Sequence, residues 1–172
     1  MLLFSIEFKW RRDVSEAAYI ADELREIHEG NAWHGPSLRE ALDGITAEQA
    51  AARAIESAHS IWEIVGHITG WENVFSLRLE GTQTKAPDED FPPVHKVSEE
   101  DWKQALAELD GTHARLLKVI ASLSDAKLDE MIAGTGYSVR YLLHGIVRHH
   151  VYHAGQIVLL RKALLSEEPA GD

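Results

Sequence analysis

The chain has 172 residues, 17 Lys+Arg against 28 Asp+Glu for a net charge of −11, ten His and no Cys. That length fits one domain, and 45% hydrophobic with 26% charged residues is the composition of a globular chain able to bury its own core. The acidic balance lacks the positive field that holds phosphate backbones or anionic lipid, and the missing Cys excludes disulfides, thiolate metal sites, iron–sulfur clusters and a cysteine nucleophile.

Residues 1–14 (MLLFSIEFKWRRDV) fit no helix face and are set apart as an N-terminal extension before a domain expected at 15–168. A first helix is expected over 15–29, with Ser15 as N-cap, Ala17, Ile20, Ala21, Leu24 and Ile27 on one face, and Gly30-Asn31 as the stop. A short helical piece follows Ser37 through Leu42, and 46–54 adds another turn or two. The second long helix runs over 59–80, its apolar face carrying Ile61, Ile64, Val65, Ile68, Trp71, Phe75 and Leu79. A loop at 82–97 contains Pro87, Pro92 and Pro93, and a loop of that length is mobile or functional. Ser98 and the acids after it open a third helix reaching Ile120. After Gly134 and Gly136, a fourth helix is expected over 138–165. Four long amphipathic helices in one domain predict an all-α fold, a four-helix bundle with one long crossover loop. No stretch approaches the roughly 18 apolar residues of a membrane span, and the opening residues lack the basic start of an export signal. The expected location is cytoplasmic.

Ten histidines are the feature to explain. On the fourth helix, His149 and His153 fall within the stripe set by Leu142, Ile146, Ile157, Leu160 and Leu164, where leucine would be expected. Imidazoles at i and i+4 on an inward face can ligate one ion, and they can equally be hydrogen-bonded core histidines. A third candidate stands on another helix: His67 borders the apolar stripe beside Trp71, with Gly66 and Gly70 allowing close helix approach. Three imidazoles would leave coordination positions open, the mark of a catalytic rather than a closed structural site. Gln156, one turn beyond His153, can orient that ring or bind a ligand. Glu63, one turn before His67, can act as a carboxylate behind that ring, or is a solvated surface acid. Weaker candidates are His34, in a turn before a helix start, and His59, rotated away from the apolar face. His28-Glu29 lacks the second His of a zincin motif, His95 and His113 have no constellation, the acids at 88–90 read as a solvated loop, and the Gly134–Gly136 turn lacks the Lys-Ser/Thr of a phosphate loop.

The segments HSIWEIVGH (59–67), AWHGPSL (32–38) and His149-x-x-x-His153 followed by Gln156 resemble the DinB/YfiT-like superfamily over about 15–165. The resemblance implies an up-down-down-up bundle, often a homodimer, with a divalent metal held by three histidines that map onto His67, His149 and His153. His150 stands where relatives often carry an acid. Members with assigned activity include bacillithiol S-transferases and a mycothiol-dependent maleylpyruvate isomerase, and others are grouped as metal-dependent hydrolases.

The expected function is therefore a metal-dependent transferase or hydrolase acting on a small molecule, with a low-molecular-weight thiol as a candidate cosubstrate. Bound water or an external thiol would be the nucleophile, since the chain supplies no thiol of its own. Zinc or nickel suits three imidazoles first, and iron, cobalt or manganese is also compatible. The alternatives are a metal- or ligand-sensing bundle without turnover and a helical module whose histidines merely pack. No nucleic-acid or membrane partner is expected.

Overall fold

The computed structural model describes residues 15–166. The expected N-terminal extension and the last two residues of the expected domain lie outside them. Six α-helices follow in order: α1 (Glu16–Glu29), α2 (Leu38–Leu42), α3 (Ala47–Ala51), α4 (Ile61–Leu79), α5 (Glu99–Ala121) and α6 (Val139–Ser166), with a 3₁₀ turn at Asp125–Lys127. Each start has a local cause. The Ser15 hydroxyl accepts from Ala18 N, and Ser98 accepts from Asp101 N ahead of three first-turn acids. Ser37 with Glu40, Thr46 with Gln49, and Ser60 with Glu63 are reciprocal capping boxes, so α2, α3 and α4 begin where a hydroxyl residue precedes Glu or Gln by three. Gly134 and Gly136, both at positive φ, reverse the chain beside a bridge between Met131 and Ser138, whose hydroxyl then receives Tyr141 N at the head of α6.

The fold is all-α, as the periodicity predicts. Four long helices pack around one another, α1 against α5 and α6, and α4 against the same two. The core is divided along the bundle axis. One apolar cluster joins α2 and α3 to Ile61, Ile64, Val65 and Ile68 of α4, Trp102 and Leu109 of α5, and Ile157 and Leu160 of α6. The other joins α1 to Phe75, Leu116, Ile120, Leu142, Leu143 and Ile146. Between them on each long helix stand buried polar residues: His28 on α1, His67 and Glu72 on α4, His113 on α5, and His150 and His153 on α6. A polar belt crosses the bundle at mid-height with apolar layers on both sides.

The loop at 82–97 is a strap laid on α4. A Cβ built on Gly66 would stand 2.6 Å from Pro92 Cγ, and one on Gly70 would stand 3.4 Å from Pro87 Cγ. The two glycines were expected to admit a neighbouring helix; they admit this strap instead, because its prolines need the space a side chain would fill. Among the described residues no helix is long and apolar enough to cross a membrane.

Candidate metal centre

His67 projects from the middle of α4, and His149 and His153 stand one turn apart on α6, which packs against it. One ring nitrogen from each of the three lies within 4.8 Å of the other two. His67 Nε2 and His149 Nε2 are 3.0 Å apart. His153 meets the other two rings nearly edge to face, inclined at 75° to His149 and 62° to His67, while His67 and His149 are tilted by 34°.

Hydrogen bonds on the far side of two rings decide which nitrogen is bare. His67 Nδ1 lies 2.7 Å from the carbonyl oxygen of Asp90, which can only accept, so Nδ1 carries the proton and Nε2 offers its lone pair. Gln156 Nε2 donates to the Tyr152 hydroxyl at 3.1 Å, which turns the amide so that Oε1 accepts from His153 Nδ1 at 2.7 Å. His153 Nε2 is thereby left bare as well. His149 Nδ1 is buried and has no hydrogen-bond partner. Burial holds the His149 pKa down at about 3 and the His153 pKa at about 4, neighbouring histidines adding to the effect on both. With His67 Nε2 bare, His149 Nε2 is the donor of the 3.0 Å contact between them; a cation bound there would take the place of that one proton.

A cation fits this donor set. Metal–nitrogen bonds of about 2.0–2.1 Å place neighbouring ligand nitrogens roughly 2.9–3.4 Å apart for angles from square to tetrahedral, and the observed pair stands at 3.0 Å. Hydrogen-bonded partners on the outer nitrogens of metal-binding histidines fix tautomer and ring orientation, which is what Asp90 and Gln156 do here.

Asp90 is the residue the sequence did not single out. Its carbonyl holds His67, and its carboxylate receives Trp71 Nε1 at 2.7 Å and lies 3.1 Å from His67 Nδ1. The acids at 88–90 are exposed, as expected of a solvated run; Asp90 makes these contacts in addition, because the strap brings its backbone over α4. Phe91 beside it stacks on His67 at 4.1 Å and on His59 at 3.7 Å, so His59 touches the wall of the site without joining it. Glu63 does not reach His67. Its carboxylate receives Ser60 N at 2.8 Å and Arg53 at 2.7 and 3.0 Å, closing the N-terminus of α4. The reading of Glu63 as a carboxylate behind His67 is corrected by that geometry, as is its reading as a solvated surface acid, since it is buried. His34 and His95 are exposed.

A family model of the DinB superfamily matches residues 32–157. The chain belongs to the DinB superfamily. The matched span includes His67, His149, His153 and Gln156. No curated protein and no solved structure gives a match.

This DinB-superfamily chain carries a second polar group in the same belt, directly behind the first. Glu72 of α4 is wholly buried and accepts from His113 Nδ1 at 2.7 Å, His150 Nε2 at 2.9 Å and the Thr112 hydroxyl at 2.6 Å. Burial would raise the Glu72 pKa, but the hydrogen bonds from His113 and His150 outweigh it and hold the carboxyl at about 2. His150 Nδ1 lies 2.8 Å from the carbonyl of Ile146 and its Nε2 faces Glu72. Both of its partners are acceptors, so one proton is shared within the Glu72–His150 pair and the pair is neutral as a whole.

Proposed function

We propose that this DinB-superfamily protein is a metal-dependent enzyme, a transferase or hydrolase acting on a small molecule, in which His67, His149 and His153 hold one divalent cation. The observation that carries the reading is the convergence of two Nε2 atoms at 3.0 Å while Asp90 and Gln156 occupy the outer nitrogens of His67 and His153. Bound there, a dication would supply Lewis acidity, and three neutral ligands would leave its charge uncompensated. Zinc or nickel suits the donor set first; iron, cobalt and manganese are the other candidates. His67, His149 and His153 orient the ion, Asp90 and Gln156 fix the rings that hold it, and Phe91 shields the His67 face from water. With no Cys in the chain, any thiol chemistry takes its sulfur from a low-molecular-weight thiol cosubstrate.

A second reading, a metal- or ligand-sensing bundle without turnover, is favoured by one observation. The strap seats Phe91 directly on His67, and His67 and His153 are only 6% and 3% exposed. The protein is further proposed to be cytoplasmic and to pair with a second copy through the outer face of α6, where Tyr141, Tyr152 and Leu159 stand exposed.

Elemental analysis of protein purified without added metal tests the site. Divalent metal that disappears in His149→Ala and His153→Ala supports it, and metal content unchanged by both substitutions refutes the ligand assignment. A panel of thiols with electrophilic acceptors, run with and without chelator, separates the two readings. Chelator-sensitive turnover identifies the enzyme, and metal binding without turnover identifies the sensor.

A further inference from the structure

The linker from α3 into α4 and the C-terminal half of α6 enclose a cavity of about 270 Å³. Ile64 of α4 and Leu160 of α6 are buried and form its floor, and Ala58 of the linker lines it beside them. Ile55 and Leu159 stand exposed at its rim. Large apolar side chains left in water around a hollow gain free energy when an apolar body covers them. The polar lining is Ser57, His59 and Gln156, and no Lys, Arg, Asp or Glu contributes to the wall. A carboxylate, phosphate or ammonium lodged there would lose water without gaining a charged partner, so the lining selects a neutral occupant.

The cavity shares two of its walls with the histidine cluster. Gln156 lines it and accepts from His153 Nδ1 at 2.7 Å, so one carboxamide separates the hollow from that ring. His59 lines it and stacks on Phe91 at 3.7 Å, and Phe91 stacks in turn on His67 at 4.1 Å. A molecule in the cavity therefore lies on the same α4–α6 seam as the three histidines. Its polar groups have capacity to spare: His59 Nδ1 lies 3.6 Å from Glu63 Oε2, while His59 Nε2 and the Ser57 hydroxyl bond to nothing among the described residues. Pockets for drug-sized ligands begin at about 300 Å³. This one suits a smaller body, a single ring or a short branched chain, and not a peptide segment.

We propose that this cavity holds the apolar body of the small-molecule substrate, a neutral organic molecule of one ring or a short branched chain with a hydrogen-bonding head. The inference deepens the enzyme reading and rests on it. Ile64 and Leu160 take the apolar body, and Ser57 and His59 bond the head. The end to be transformed extends along the seam past Gln156 toward the three histidines.

The test titrates the full-length protein, zinc-loaded and chelator-stripped, with cyclohexanol and benzyl alcohol, and with benzoate and benzylamine as charged counterparts, read by amide NMR and by zinc content. The alcohols are expected to give saturable shifts at Ala58, Ile64 and Leu160, with benzoate and benzylamine bound about tenfold more weakly. Ala58→Phe fills the cavity and should weaken alcohol binding about tenfold or more while zinc content stays the same. Should Ala58→Phe fail to fold, Leu159→Glu at the exposed rim puts a carboxylate at the mouth and should weaken the alcohols in the same direction. Zinc bound with no saturable shift, or shifts that survive Ala58→Phe, overturns the cavity and leaves the metal reading standing. Alcohol binding in protein that takes up no zinc supports the cavity while sinking the metal reading. Uptake by Leu159→Glu but not by the wild type, with only the variant monomeric on gel filtration, shows that a second copy closes the mouth and overturns the proposal.

Discussion

Replacing Gly66 by Ala sets two effects of opposite sign against each other at one position of α4. In a helix interior, Gly→Ala gains about 1 kcal/mol, because glycine loses more backbone entropy on folding. The new methyl, however, would stand 2.6 Å from Pro92 Cγ and 3.3 Å from Pro92 Cδ. Carbon atoms rest at about 3.5–4.0 Å, so Pro92 must retreat by roughly an ångström. Overpacking of this kind costs about 1–3 kcal/mol, which cancels or exceeds the helix gain. Phe91 and Asp90 precede Pro92 directly, so its retreat draws the carbonyl from His67 Nδ1, now at 2.7 Å, and the phenyl ring from its stack at 4.1 Å. Loosening an outer hydrogen bond of this kind lowers metal affinity by about 10–100-fold. Gly111→Ala in α5 is the control, since its Cβ meets nothing within 4 Å; it should stabilise by about 1 kcal/mol. Urea melts of the metal-free proteins and competition titrations of zinc against a chelating dye measure both quantities. If Gly66→Ala stabilises as much as Gly111→Ala and binds zinc as the wild type does, the strap is not seated on α4 as described.

Three further outcomes follow from the same belt. Glu72→Leu leaves His113 Nδ1, His150 Nε2 and the Thr112 hydroxyl facing an apolar side chain, and should cost about 3–5 kcal/mol in chemical denaturation, as for other broken buried pairs; a loss below about 1 kcal/mol would contradict a tightly satisfied network. Gln156→Leu removes the acceptor of His153 Nδ1 and should weaken zinc binding about 10–100-fold with little change in melting temperature; unchanged affinity would show that Gln156 does not orient the ring. The metal-free protein should lose stability on acidification. Burial lowers the His28 pKa from 6.5 to about 4, so between those values the unfolded chain binds a proton that the folded chain does not. Stability is full above pH 6.5 and falls as pH drops toward 4, by about 3 kcal/mol for this ring. Glu72, lowered from 4.5 to about 2, adds a loss of the same sign below pH 4.5. Thermal melts at pH 7, 5.5 and 4.5 measure the slope, and a melting temperature flat across that window would refute it.

The candidate site was only partly legible in the chain. His149, His153 and Gln156 share one helix, so their spacing alone places them on neighbouring turns. His67 was legible as a polar residue beside an apolar stripe. Glu72 left a signal of the same kind that went unread: it follows Ile61, Ile64 and Ile68 at helical spacing, an acid where the core continues. His28 follows Leu24, and His113 follows Leu109, in the same way. Each of these looked isolated because its partners lie on other helices, and only the packing of α1, α4, α5 and α6 brings them to one level.

Local order was determined by the sequence: hydroxyl residues at helix starts, glycines and prolines between helices, and apolar residues at threes and fours set the four long helices almost to the residue. Those signals act over a single turn, so the backbone needs nothing distant to obey them. What the tertiary structure alone decided is which polar groups meet. The strap's descent onto Gly66 carries Asp90 and Phe91 to His67 across more than twenty positions of chain, and Glu63 is drawn away to its own helix cap. Such contacts depend on how apolar faces lock together, and a side chain's partner across the bundle is fixed only when the two cores above and below it have closed.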